Sequence, residues 1–298
     1  MAIVSVVMGL LAGGLAIPFA IATGMTARSA EKAMANLPKE LEAQPLRQAS
    51  RMLDAKGKVM ATFYDENRVN VTYEQIAPVM RDAIVAVEDY RFFDHGAIDL
   101  KGTLRALVIN QASGGKVVQG GSSITQQMAK MTLLAQANTK AERAAATADT
   151  YARKITELRH ALAFEQNHSK KWILTRYLNI AFFGDQSYGI QAAAQHYFSR
   201  DAKDLNVRQA AMLAGLVKNP NQYNPVANKK AALSRRNVVL DQMAKYGYLS
   251  GAEANRIKAL PLGLKIKPNQ NGCISSPYSF FCDYVYQYLM ADPALGAT

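Results

Sequence analysis

Apolar residues in the middle of this chain recur at helical spacing. Ile76, Met80, Ile84 and Val87 mark one face, and Pro78 suits a first helical turn. Ile155, Leu158 and Leu162 mark a second face; Ile173, Leu174, Tyr177 and Leu178 mark a third, with Ser169 placed to cap it. Further helices are expected near residues 191–198, 207–217, 229–246 and 251–259. The last of these opens on Ser250-Gly251-Ala252-Glu253, the pattern of a capping box. Upstream, Met52-Leu53-Asp54-Ala55-Lys56-Gly57-Lys58-Val59-Met60 places a turn signal between two short apolar runs and predicts a small hairpin. Past Pro261 the chain becomes richer in Pro, Asn and Gly, as a loop would. The expected body is mainly α and covers roughly residues 72–260.

The N-terminus follows a different pattern. Residues 1–27 carry no charged side chain, and the run at 3–24 is about long enough to cross a bilayer as a helix. A core helix of that length would show a polar face, and this one has none. Ala20-Ile21-Ala22 resembles a signal-peptidase site, but the basic region that should precede it is absent. A transmembrane anchor at 1–27 is therefore expected, followed by a polar stalk at 28–50. Its flanking cations, Arg28, Lys32 and Lys39, come after the run, so charge alone does not put the rest of the chain outside the cell.

Composition narrows the function. With 298 residues, 49% hydrophobic and 19% charged, the chain can build a substantial core. Its formal charge of +12 implies an anionic partner, either phosphate or a membrane surface. Nucleic acid is disfavoured, because no zinc-ligand spacing or RNA-binding signature appears and the cations are scattered. The two cysteines, Cys273 and Cys282, could form one disulfide in an oxidising compartment.

Three segments carry candidate chemistry. Glu88-Asp89-Tyr90-Arg91-Phe92-Phe93-Asp94-His95 places an acid at a helix C-terminus, where negative charge is disfavoured. A partly buried acid beside another acid has a raised pKa, as a general base requires; a solvated helix end is the plainer alternative. Gly120-Gly121-Ser122-Ser123-Ile124-Thr125-Gln126-Gln127-Met128-Ala129-Lys130 describes a loop running into a capped helix. Its free N–H groups suit phosphate, Lys130 adds a cation, and the two glutamines suit sugar hydroxyls. The Gly-Lys-Ser/Thr ending of a nucleotide P-loop is missing. In Arg153-Lys154-Ile155-Thr156-Glu157, the acid lies within one helical turn of both cations. That is either a surface ion pair or a carboxylate held in a cleft.

Taken in order, these segments resemble a known family. Glu88-Asp89-x-x-Phe92-x-x-His95, Gly120-Gly121-Ser122-Ser123-Ile124-Thr125-Gln126-Gln127, Arg153-Lys154-x-x-Glu157, Lys170-x-x-Ile173-Leu174-x-x-Tyr177-Leu178-Asn179 and Arg235-Arg236-x-x-Val239-Leu240 are similar to the five ordered motifs of the peptidoglycan glycosyltransferases. These form the glycosyltransferase part of the bifunctional, class A penicillin-binding proteins, and Cys282-Asp283-Tyr284-Val285 resembles the approach to the transpeptidase domain in actinobacterial relatives. Departures are modest: Ser123 replaces a usual threonine, Ala97 a frequent glycine and Thr175 a common glutamate. The stretch between Lys130 and Arg153 is longer and richer in alanine than usual, leaving Arg143 as the only guess for a further phosphate-binding arginine found there in relatives.

The resemblance implies a mainly α, lysozyme-like domain at 51–260 behind the N-terminal transmembrane helix, with 261–298 leading toward a transpeptidase domain missing from this chain. It implies a single-pass protein of the cytoplasmic membrane with its catalytic domain outside. The activity implied is polymerisation of lipid II into glycan strands by inverting glycosyl transfer. Glu88 and Glu157 are the implied catalytic residues. Asp89, Arg91, Ser122, Ser123, Thr125, Gln126, Gln127, Lys130, Arg153 and Lys154 are the implied substrate and pyrophosphate contacts. No cofactor is obligatory, although Glu157 is a candidate to hold a divalent cation, Mg or Mn. Implied partners are lipid II, the growing glycan strand, the membrane and other cell-wall synthesis proteins; nucleic acid is not among them. Residues 104–118 are a candidate for the membrane-dipping segment that relatives possess, or equally a segment packed in the core through Leu104, Leu107, Val108 and Ile109.

Three other readings compete. A lysozyme-like hydrolase or lytic transglycosylase would share the fold but needs no pyrophosphate grip. A membrane-tethered, non-catalytic cell-wall scaffold would tolerate loss of Glu88. A serine acyltransferase would use Ser29-x-x-Lys32 or Ser113-x-x-Lys116, yet neither has Lys-Thr-Gly or Ser-Asp-Asn companions.

Overall fold

The computed structural model describes residues 44–99 and 121–294. The expected anchor, most of the stalk, the 104–118 segment and both Ser-x-x-Lys sites lie outside these residues. Among the described residues no helix is long and apolar enough to cross a membrane.

The expected hairpin forms from β1 (Ser50–Leu53) and β2 (Val59–Phe63), which pair antiparallel with an irregularity at Met52/Leu53. Asp54 Oδ1 closes the turn by accepting from the Lys56 and Lys58 N–H groups. A second, two-stranded sheet joins β3 (Asn67–Arg68) in parallel to β4 (Ser187–Tyr188).

The rest is helical. α1 is Pro78–Glu88, α2 Ile124–Gln136, α3 Lys140–Thr147, α4 Tyr151–Asn167 and α5 Lys170–Ile180. α6 is Ile190–Phe198, α7 Val207–Leu216, α8 Lys229–Lys245, α9 Gly251–Lys258 and α10 Ser279–Ala291. The caps explain most of the starts. Ser123, Thr139, Thr150, Ser169, Asn206, Asn228 and Ser250 each accept the N–H three residues on, satisfying a donor that a helix leaves free. At Ser250 only this half of the expected box is formed; Glu253 lies 3.8 Å from Arg256.

Two groups of helices build the core. α1, α7 and α8 pack through Met80, Ile84, Leu213, Ala214, Val239 and Leu240; α2, α4 and α5 pack through Ile124, Met128, Ala161, Ile173 and Leu174. α6 is buried at every residue except Gln195, which is partly exposed. Its entry depends on Gly189, at φ 77°, where a Cβ would meet the Asn179 carbonyl oxygen at 2.7 Å. Asn179 ties this corner together, exchanging bonds with the Val71 N–H (3.0 Å) and C=O (2.8 Å) while its own carbonyl accepts from Arg68.

The region after Pro261, expected as loop, also contains α10. Cys273 and Cys282 are bridged, and Cys282 is buried with Met60 and Ala61 against the hairpin. Tyr286 stacks on Phe63 at 4.9 Å. The sequence periodicity missed this helix because only one narrow side is covered: Phe280, Tyr284 and Tyr288 are exposed.

Candidate active site

Glu88 is the last residue of α1, as its sequence position suggested, and its side chain is 14% exposed. Three elements converge on it. From α2, Gln127 Nε2 donates to Glu88 Oε2 at 2.9 Å. From α8, Arg235 brings its guanidinium to 3.9 Å of Oε1. Lys218, just past α7, adds a further positive field. Burial pushes the Glu88 pKa up; the Gln127 bond and the charges of Arg235 and Lys218 pull it back, Asp89 adds to the rise, and the balance lies above the ordinary carboxylate value. Arg235 reaches this position because α7 presents Gly215 there. Its Nε donates to the Gly215 carbonyl at 3.3 Å, and a methyl group on that glycine would meet Arg235 Cγ at 3.0 Å.

Asp89 is buried and faces away from this task. One oxygen accepts from His95 Nε2 at 2.8 Å, and the other accepts from the Ile124 N–H at 3.2 Å. The second bond places a carboxylate on the N-terminus of α2, where the helix dipole favours it. The end of α2 expected to bind phosphate is therefore already occupied by an anion from the chain. His95 Nδ1 lies against the Gly96 carbonyl, so both ring nitrogens face acceptors. Burial pushes the imidazole pKa down, but Asp89 and the Gly96 carbonyl push it further up, and the net is a rise.

The second carboxylate reaches the α2 start through Lys154. Glu157, on α4, is only 2% exposed and holds both expected cations, Arg153 on Oε1 and Lys154 on Oε2 at 3.1 Å. The exposed-ion-pair alternative fails on that burial. Lys154 also donates to Ser122 Oγ at 2.9 Å. Glu88 through its bond from Gln127, and Glu157 through Lys154, are thus tied to one segment, Ser122 to Gln127.

The remaining expected contacts divide by location. Ser123 and Gln126 both donate to the Ala97 carbonyl at 3.1 Å and clamp the loop after Glu88 onto α2. Thr125 is fully buried and donates to Glu165, which also takes Lys170 at 2.7 Å. Arg91 pairs with Asp99. Lys130 is exposed, one turn beyond Gln126 and Gln127. Arg143, the guessed extra phosphate ligand, directs its Nε to the Ala137 carbonyl. With both Glu157 oxygens on cations, a divalent ion there would have to displace Arg153 or Lys154. Asp89, His95 and Asp99 bring three ligand atoms within 4.8 Å of one another, but these groups already bond to one another and to Arg91.

Sequence reasoning passed over Arg235, Lys218 and Tyr177 as site residues. Arg235 and Tyr177 stood inside recognised motifs; the signal that could have separated Arg235 from Arg236 was absent, since both are arginines on one helix. The structure separates them sharply. Arg236 is fully buried and donates to the carbonyls of Lys258, Leu260 and Pro261, holding the C-terminus of α9.

The family whose model matches is described as Transglycosylase and covers residues 56–244. Penicillin-binding protein 1F of Bacillus subtilis (strain 168) is 38% identical over 222 residues, 74% of this chain and 29% of the relative. Penicillin-binding protein 1A of Aquifex aeolicus (strain VF5) is 38% identical over 252 residues, 85% of this chain and 32% of the relative. The chain therefore spans about a third or less of the length of these relatives. Among solved structures, penicillin-binding protein 1A from Haemophilus influenzae is similar at 21% identity and TM-score 0.44, covering 83% of this chain and 24% of that one.

Proposed function

We propose, for a chain that belongs to the transglycosylase family, the glycosyltransferase part of the class A penicillin-binding proteins, that it polymerises lipid II into glycan strands by inverting glycosyl transfer. A sugar hydroxyl is a weak acid, so its proton must leave as the new bond forms. Glu88 takes that proton from the acceptor 4-hydroxyl; the hydroxyl oxygen bonds to the anomeric carbon of the lipid-linked donor; the bond from that carbon to the pyrophosphate breaks. A carboxylate with a raised pKa suits the first step and contributes roughly 10²–10⁴-fold. The departing diphosphate needs cations more than a proton, and Arg153 and Lys154 supply them, positioned by Glu157. Inversion requires base and leaving group on opposite faces of the sugar, a division of labour that separate Glu88 and Arg153–Lys154 clusters would serve.

One observation carries this reading: Glu88 is a nearly enclosed carboxylate bonded to the same helix start that binds the Glu157–Arg153–Lys154 cluster. The helical body supports a lysozyme-like fold. The disulfide supports an oxidising, extracytoplasmic compartment, and the uncharged run at 1–27 supports a membrane anchor. The test is polymerisation of lipid II by the wild type, Glu88→Gln and Glu157→Gln, with finished peptidoglycan as a parallel substrate. Loss of polymer in the first variant and a strong deficit in the second are expected. Full polymerisation by Glu88→Gln would refute the assigned base, and cleavage of peptidoglycan in place of polymerisation would favour the hydrolase.

A further inference from the structure

Gln127 has a neighbour that the reaction above does not use. Tyr177, on α5, is fully buried, and its hydroxyl donates to Gln127 Oε1 at 3.1 Å. The other end of the same amide donates to Glu88 Oε2 at 2.9 Å. A single hydrogen-bond chain therefore runs from α5 through α2 to the end of α1. Its polarity follows from the groups themselves. An ionised carboxylate only accepts, so the amide must present its NH2 to Glu88 and its oxygen to Tyr177, whose O–H then donates.

We propose that Tyr177 is a positioning residue for the base, its hydroxyl holding the Gln127 amide with its NH2 toward Glu88 so that the carboxylate stays ionised and ready for the acceptor. This rests on reading Glu88 as the base. Reversing the amide would turn its oxygen toward Glu88, an arrangement that favours the protonated acid. It would also remove the acceptor that the buried Tyr177 hydroxyl has among the described residues, and an orphaned buried donor is costly. Burial, with Glu88 and Asp89 nearby, holds the Tyr177 pKa well above its ordinary value, so the donor keeps its proton throughout the working range.

The experiment compares wild type, Tyr177→Phe, Gln127→Met and the double variant by the pH dependence of kcat/KM on lipid II, and by ¹³C titration of the Glu88 carboxyl in the substrate-free protein. Phenylalanine keeps the ring packing, and methionine fills the Gln127 volume without the amide; thermal unfolding checks that both fold. Expected for Tyr177→Phe is an acid limb displaced upward, with activity about threefold to tenfold lower at the pH where wild type is half-maximal and recovering at alkaline pH, the range one hydrogen bond implies. The carboxyl titration should move the same way, and the double variant should move no further than Gln127→Met alone. An unmoved titration in Tyr177→Phe, or additive effects in the double variant, would overturn the inference. Failure of the base assignment is seen separately, as polymer made by Glu88→Gln.

Discussion

Asp89→Asn tests the link between the catalytic loop and α2. The native carboxylate serves two donors at once, His95 at 2.8 Å and the Ile124 N–H at 3.2 Å, and both side chains of the His95–Asp89 pair are below a tenth exposed. Asparagine keeps one acceptor oxygen, so it can satisfy one of these donors and must leave the other. A hydrogen bond to a charged partner contributes about 1.5–3 kcal/mol, and a bond to a helix N-terminus about 1 kcal/mol. His95 can also shed its proton, which limits the cost. The expected loss is therefore about 2 kcal/mol at pH 6, falling to about 1 kcal/mol toward pH 9. The sign follows from the raised His95 pKa. Its contribution is complete below the unfolded-state value and disappears as pH rises through the higher folded-state value. For a domain of this size the melting midpoint should drop by about 4–8 °C at pH 6 and by about half that at pH 9. Thermal or urea unfolding of both proteins at the two pH values provides the measurement. Equal losses at the two pH values would show that the ion pair does not carry the effect, and no loss at pH 6 would refute the argument for the α2 cap.

Other expectations follow from single contacts. Arg235→Met removes a cation 3.9 Å from Glu88, so the acid limb of kcat/KM should move to higher pH while the protein stays folded; a limb that stays in place would show that Arg235 does not tune the base. Replacing both cysteines by serine, Cys273→Ser with Cys282→Ser, opens a short loop worth about 2.5 kcal/mol by chain entropy. Limited proteolysis should then cut at α10 first, and unchanged resistance would show that Phe63, Met60 and Tyr286 hold the helix unaided. Arg236→Met should destabilise the fold with little effect on the pH profile, because its partners are the carbonyls at the end of α9; a shifted profile would contradict that division between neighbouring arginines.

Much of this architecture is legible along the chain. Helix faces such as Ile76, Met80 and Ile84 follow from a period that any buried helix must show, and starts such as Ser123, Ser169 and Ser250 follow from donors that every helix leaves unpaired. The two acids and the Arg153-Lys154 pair were visible as well, since their spacing is local. α10 was not, because its buried side is the single strip around Cys282 that the hairpin happens to cover.

Partnership was decided only by folding. Helical period tells which face a residue occupies but not what meets it, and desolvation depends on neighbours drawn from distant parts of the chain. Glu88 gains its buried environment from Gln127, 39 residues away, and from Arg235 on α8; Asp89 finds the α2 N-terminus 35 residues on, and Gln127 meets Tyr177 across 50. The residues able to move a proton could thus be named from the sequence, whereas the burial and pairing that tune them exist only once four helices have packed.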